Sequence, residues 1–265
     1  VEREARVMQA LGPTGFPVPR VHALCVDENV IGTPFFVMDM VEGRIFWEAD
    51  VPEVPYSERG AYLDAMNATL ARLHSLDYRS LGLADFGKEG GYIQRQIRRL
   101  ESQYRADVDA GRDPNLDRLI DWLSANIPQD DETRLVHGDF RCDNLIFHPT
   151  EARIVAVLDW EIAHVGDPMR DLGWICTNSW RFGRSDLPVG GFGIYADLFR
   201  GYERVSGRTV DPAHVRFWEI FGSFWWACSS LTMAEHYRTG PDRTVERPAI
   251  GRRSSECQVD CVNLL

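Results

Sequence analysis

No uncharged run in the 265-residue sequence exceeds fifteen residues, and that one, Ile220 to Ala234, contains three serines and a threonine. It is too short and too polar to span a bilayer. No secretory signal pattern opens the sequence. The six cysteines (25, 142, 176, 228, 257, 261) form neither a CxxC pair nor a dense framework. Reduced thiols in a cytoplasmic protein are therefore expected. Cys257 and Cys261 fall on one predicted helix with no histidine beside them, which disfavours zinc. A basic excess is also missing. The net charge is −11 and the pI near 5.1, whereas binding to a phosphate backbone needs a cationic footprint. Internal repeats and low-complexity tracts are absent.

What is present reads as a soluble globular chain, with 44% apolar and 26% charged residues. That length fits one large domain or two lobes sharing a cleft. Helical periodicity covers Glu2 to Leu11 and is stopped by Gly12-Pro13. "VPRVHALCVD" and "TPFFVMDM" are strand-like and separated by a turn around Asn29 to Pro34. Ser57 to Leu76 repeats as a helix, with Ser57 as its expected N-cap. Further helices are predicted over Tyr92 to Ala110 and Leu116 to Asn126. The period then switches, and "TRLVHGD", "NLIFH" and "RIVAVLDW" read as three strands around a central loop. From Asp171 onward the pattern is mostly helical, including Pro212 to Arg238 and a last helix over Glu246 to Leu264. This order predicts a small front piece, residues 1–41, joined near 39–43 to a large helical piece, residues 42–265.

The chemistry concentrates between residues 137 and 171. Asp139 and Asn144 lie five positions apart on the loop between two apolar strands, and Asp159 closes the next strand. Mg²⁺ is a hard cation that takes oxygen ligands and keeps several waters. One carboxylate, one amide oxygen and nucleotide phosphates suit it. A second carboxylate, free of metal, can orient a hydroxyl and accept its proton. Kinase-type phosphoryl transfer uses this spacing of a base, a metal-binding Asn and a metal-binding Asp. Asp139 is then the catalytic base, and Asn144 and Asp159 hold the metal. Any one of these residues alone would be ordinary loop chemistry; the joint pattern is what points to function.

"HGDFRCDN" and "LDWEIAHVGDPMRDLGW" resemble the catalytic loop and metal-binding segment of the aminoglycoside phosphotransferase (choline kinase-like) superfamily. "GFPVPRVHALCVDENVIGTPFFVMDMVEGR", "GLADFGKEGGYIQRQIRRL" and "AEHYRTGPDRTVERPAIGRR" are similar to the phosphotransferase domain found with acyl-CoA dehydrogenase modules. The resemblance implies an α+β, protein kinase-like two-lobe fold with a shortened N-terminal lobe and a large helical C-terminal lobe. It implies ATP and Mg²⁺ as cofactors. It places Glu4 as the helix partner of an ATP-anchoring lysine. The Asp39 carbonyl and Val41 N–H would meet the adenine edge. Asp167 and Asp171 become structural aspartates that hold the catalytic segment and cap the next helix. His137 is expected to brace the loop and Asp143 to face solvent. The aromatic stretch from Phe217 to Leu231 is expected to pack the core, with its tryptophans able to edge a substrate pocket.

The family's Gly-rich loop and anchoring lysine belong before the first helix, and the sequence, which begins at Val1, holds neither. Further sequence upstream is the expectation. The acceptor is read from charge. Arg238, Arg243, Arg247, Arg252 and Arg253 favour an anionic substrate such as a hydroxyacyl-CoA over a polycationic aminoglycoside. The expected partner is a small hydroxylated molecule, not nucleic acid or a membrane, and a homodimer stays open. Competing readings are an aminoglycoside- or choline-type kinase, a nucleotide-binding pseudokinase, and a metal-dependent hydrolase built on His137, Asp139 and Asp159. A protein kinase fits less well, because HGD replaces HRD and no DFG or APE pattern occurs.

Overall fold

The computed structural model describes residues 1–48, 51–88, 90–106, 113–129, 132–240 and 243–265. Helix α1 (Glu2–Leu11) buries Ala5, Val7, Met8 and Leu11 along one stripe, and Gly12-Pro13 turn it into a single 3₁₀ turn. Strands β1 (Val21–Cys25) and β2 (Phe35–Met38) pair antiparallel, as their β-branched and aromatic content predicts.

Helix α2 starts at Arg59, not at Ser57. After Pro55 the chain makes a 3₁₀ turn over Tyr56–Glu58, so α2 runs Arg59–Ser75 and the Ser57 side chain caps nothing. Helix α3 covers Tyr92–Ala106; its predicted continuation to Ala110 lies outside the described residues. Helix α4 (Pro114–Ala125) begins two residues earlier than expected. Asp113 accepts the Asn115 N–H at 2.9 Å and Pro114 supplies the first helical residue.

The centre holds four short strands where the sequence predicts three: β3 (Arg134–Val136), β4 (Leu145–Phe147), β5 (Ile154–Val157) and β6 (His164–Gly166). The unpredicted one, β6, is His-Val-Gly, with no apolar run to betray it. Strand β3 pairs with β6 and β4 with β5, both antiparallel. Val136 sits opposite His164, and Leu145 opposite Val157. The loops 137–144 and 158–163 therefore leave the two ribbons at one end, with all four stems tied.

Beyond them come α5 (Met169–Cys176), α6 (Tyr195–Ser206), α7 (Pro212–Thr239), α8 (Glu246–Gly251) and α9 (Ser254–Leu264). The single C-terminal helix expected from Glu246 to Leu264 is thus two, interrupted at Arg252-Arg253. Helix α7 buries Phe217, Trp218, Ile220, Phe221 and Phe224 in the core, as predicted for its aromatic stretch. Gly173 lets α5 lie close on α7, because a Cβ there would come within 2.4 Å of the Trp218 Cβ. Val7, Met8 and Leu11 of α1 join the same core as residues of α2 and α7. None of the six cysteines forms a disulfide. Among the described residues, no helix is long and apolar enough to cross a membrane.

Candidate active site

The loop 137–144 is fixed from beneath before any reacting group is considered. Gly138 takes φ +89°, a left-handed conformation, and its α-carbon faces Ile162 so closely that a Cβ would lie 3.0 Å from the Ile162 carbonyl oxygen. Buried Asp171 accepts the His137 N–H at 2.9 Å and the Gly138 N–H at 2.8 Å. It also accepts from His74 Nε2 at 3.1 Å. Burial alone would raise the Asp171 carboxyl, but the His74 hydrogen bond and the neighbouring donors outweigh it and hold the group below its ordinary range. His137 braces the loop, as expected. Its Nε2–H donates to the Leu158 carbonyl at 2.9 Å, and its Nδ1 accepts the Asp139 N–H at 3.1 Å. Both ring nitrogens are thereby committed. Phe140 and Trp160 flank the two aspartates and are fully buried. Each contributes about 2–3 kcal/mol of burial that resists loop movement.

Asp139 and Asn144 are in direct contact. The Asn144 Nδ2 donates to the Asp139 carbonyl and to its Oδ2, both at 2.9 Å. That network sets the amide so that Oδ1 points away with no partner among the described residues. Asp159 stands on the neighbouring loop with φ +61°, a conformation that Asp tolerates better than most residues. Its carboxylate has no hydrogen bond or ion pair among the described residues. No group of three or more His, Cys, Asp or Glu gathers as a metal cage among them. Asn144 Oδ1 and the Asp159 carboxylate are hard oxygen donors, of the kind that Mg²⁺ takes alongside waters and phosphates.

Glu4 approaches the same place from α1. Its carboxylate accepts the Trp160 N–H, and burial, joined by the charge of Asp159, pushes it above its ordinary value. It is half-buried and engaged, not a freely solvated helix charge. Asp39 and Val41 lie beyond β2. The Asp39 N–H bonds the Arg20 carbonyl at 2.9 Å and its carboxylate pairs with His22. The Asp39 carbonyl and the Val41 N–H have no partner among the described residues. The segment is docked just afterwards, where Arg44 and Phe147 exchange backbone hydrogen bonds of 2.8 and 2.9 Å.

Two contacts to Asp139 escape the sequence. Trp174 of α5 donates its indole N–H to Oδ1 at 2.7 Å. Arg141 Nε straddles both oxygens at 3.0 and 3.2 Å, and its guanidinium lies 4.4 Å from the Trp180 ring centroid. Arg141 also pairs with Asp143. Asp143 is thus partly covered and charge-paired, contrary to the solvent-facing role expected of it. No local pattern announces Trp174, which lies 35 residues from Asp139 in sequence. Trp174→Phe keeps an aromatic ring but deletes the donor. Turnover is expected to fall about tenfold, the value of one lost hydrogen bond, in steady-state kinetics with saturating nucleotide; unchanged turnover would show that Asp139 is oriented without it.

Asp167 accepts the Met169 N–H at 2.9 Å at the start of α5 and the Trp218 indole N–H at 2.7 Å. It anchors α5 to α7 and is structural, as expected. The C-terminal arginines do not converge. Arg238 pairs with Glu235, Arg253 with Glu256, and Arg243 donates to the Tyr237 carbonyl at 2.7 Å.

By fold and by the pairing of its two loops this is a kinase-like phosphotransferase. The chain belongs to the phosphotransferase enzyme family, whose model matches residues 1–208. It is similar to acyl-CoA dehydrogenase family member 11 of Gallus gallus, 51% identical over 176 residues, covering 66% of this chain and 22% of that protein. A probable acyl-CoA dehydrogenase of Arabidopsis thaliana is 39% identical over 244 residues, 84% of this chain and 30% of that protein. The chain thus spans less than a third of the length of these relatives. A crystal structure of a Ralstonia eutropha protein, provisionally assigned as an aminoglycoside phosphotransferase, superposes with a TM-score of 0.88 at 38% identity. That match covers 100% of this chain and 82% of the other.

Proposed function

We propose that the protein transfers the γ-phosphate of Mg-ATP to a hydroxyl group of a small metabolite, with a hydroxyacyl-CoA as the first candidate. The observation that carries this reading is the site's division of labour: one carboxylate held by three donors, beside two oxygen donors that nothing among the described residues engages. Asp139 orients the acceptor hydroxyl and takes its proton. Of its three partners only Arg141 spans both oxygens, so Arg141 Nε is the donor an incoming hydroxyl displaces. Asn144 Oδ1 and the Asp159 carboxylate would hold Mg²⁺, which when bound neutralises charge on the β- and γ-phosphates. Glu4 acts indirectly, as partner of a phosphate-anchoring lysine. The Asp39 carbonyl and Val41 N–H meet the adenine edge, so residues 1–41 belong to the nucleotide-binding lobe and residues 42–265 carry catalysis and most of the acceptor site. The similarity to part of proteins named as acyl-CoA dehydrogenases supports a thioester acceptor. The hydrolase reading loses its ground, because His137 has no ring nitrogen left for a metal.

The test is nucleotide affinity measured by calorimetry with and without Mg²⁺. Asp159→Ala is expected to weaken Mg-ATP binding tenfold or more and to abolish the effect of Mg²⁺, because a metal-bridging carboxylate is lost. If wild type and variant bind ATP alike at every Mg²⁺ concentration, the metal assignment fails.

A further inference from the structure

A cavity of about 700 Å³ opens beside the catalytic loop, within the size range of small-molecule sites. Its walls come from α1, the 86–88 turn, α3, the 161–165 segment, α5 and α7, and none of them from β1, β2 or residues 39–41. Two of its lining residues lead directly to the site. Ile162 packs on Gly138. Trp225 meets Trp174 edge-on at 5.5 Å, and Trp174 is the indole that bonds Asp139. Through these two contacts the cavity wall abuts the catalytic loop.

The lining charge runs against the charge of the whole protein. In a chain of net charge −11, the described residues lining this cavity include Arg3, Lys88, Arg95, Arg99 and Arg170 and one acid, Glu161. Lys88 is the only lysine in the sequence. The decisive member is Arg170, which is 8% exposed. It forms no ion pair with a carboxylate among the described residues. Its guanidinium donates to the Tyr92 hydroxyl and to His164 Nε2. Burial, together with the Arg170 charge, pushes His164 down to about 3, so that partner is neutral. Arg170 Nε has no hydrogen-bond partner among the described residues. The nearby acids are already occupied: Asp171 by His74 and the loop amides, and Asp167 by His214 and Trp218. Arg181, equally buried at 7%, shows the usual solution, a direct pair with Glu219. A buried cation without such a counter-charge is costly, and stacking near Trp218 offsets only part of that cost.

We propose that this cavity binds an oxyanion carried by the phosphate acceptor, a phosphate or carboxylate remote from the reacting hydroxyl, with Arg170 at the buried end and Lys88, Arg95 and Arg99 toward solvent. The inference rests on the kinase reading of the neighbouring site and supplies its substrate class. Arginine's planar fork suits both oxyanions. The same cations repel an aminoglycoside. The acceptor's anion is anchored by α3 and α5, not by the arginines near the C-terminus.

The test uses the full-length protein saturated with Mg²⁺ and AMP-PNP, so that the nucleotide site is filled. Inorganic pyrophosphate and glutarate are then titrated separately by calorimetry. At least one is expected to bind, and which one does separates a phosphate-bearing from a carboxylate-bearing acceptor. Arg99→Glu reverses an exposed charge that has no partner among the described residues, so its fold is safe. It is expected to weaken the anion tenfold or more while AMP-PNP affinity moves less than twofold. Arg170→Met, checked for folding by circular dichroism, should abolish the anion's binding. Absence of binding by both anions in the AMP-PNP complex, or undiminished binding by Arg99→Glu, overturns the proposal. Failure of AMP-PNP itself to bind, with the anion still lost in Arg99→Glu, would instead sink the kinase reading and leave the anion site standing.

Discussion

Asp139→Asn is expected to lower turnover by about 10²–10⁴-fold, the usual contribution of a positioned general base. Shape is preserved, but the amide can no longer accept a proton. It also turns an NH₂ toward at least one of three donors, Arg141 Nε, Trp174 Nε1 and Asn144 Nδ2, that now point at carboxylate oxygens. Mg-ATP affinity should stay within about threefold, because Asn144 Oδ1 and Asp159 are untouched and uniform binding separates from transition-state effects in this way. Single-turnover rates and equilibrium nucleotide titrations on the same preparation separate the two quantities. A turnover within twofold of wild type would remove Asp139 from the role of base.

The second large effect concerns stability. Asp171→Ala strips the acceptor from two loop amides and from His74 at one stroke, all of them buried. A loss of about 3–5 kcal/mol in chemical denaturation is expected, as for a broken buried charged network. The pH dependence has a definite sign. The folded Asp171 carboxyl titrates below its ordinary value of 3.8, so its stabilisation is complete above that pH and disappears as pH falls through the lower, folded value. The variant and wild type should therefore differ fully at neutral pH, and the difference should narrow as pH falls below 3.8. A constant difference down to the acid transition would mean that the Asp171 charge is not what holds the loop.

Much of the site was legible because its chemistry is compressed into one stretch. Asp139 and Asn144 share a loop, Asp159 follows the second ribbon by two residues, and short apolar runs mark the strands beside them. The helices α1 and α7 were equally plain, α1 from an apolar stripe stopped at Gly12-Pro13 and α7 from a long apolar stretch opened by Asp211-Pro212. The misses have physical causes. Strand β6 is three residues long and is defined only by its partner β3. Ser57 has a capping side chain but sits inside a 3₁₀ turn that begins after Pro55. Trp174 and Arg170 matter because α5 folds back onto the catalytic loop and α3, a relation of tertiary structure that no local pattern encodes. The arginines that sequence reasoning favoured are the ones near the C-terminus, and three of them, Arg238, Arg243 and Arg253, are engaged in local contacts. Those that surround a cavity are scattered through α1, α3 and α5, where spacing alone gives them no common purpose.

The central claim is most directly tested by phosphorus NMR of reactions containing the full-length protein, Mg²⁺ and ATP. The acceptors to be offered in turn are 3- and 4-hydroxyacyl-CoAs, choline, homoserine and kanamycin, with Asp139→Asn run alongside. A new phosphate monoester on a hydroxyacyl-CoA, formed with one ADP per product and absent in the variant, is the predicted result. Release of inorganic phosphate without any monoester, or a monoester formed equally by Asp139→Asn, would contradict the account.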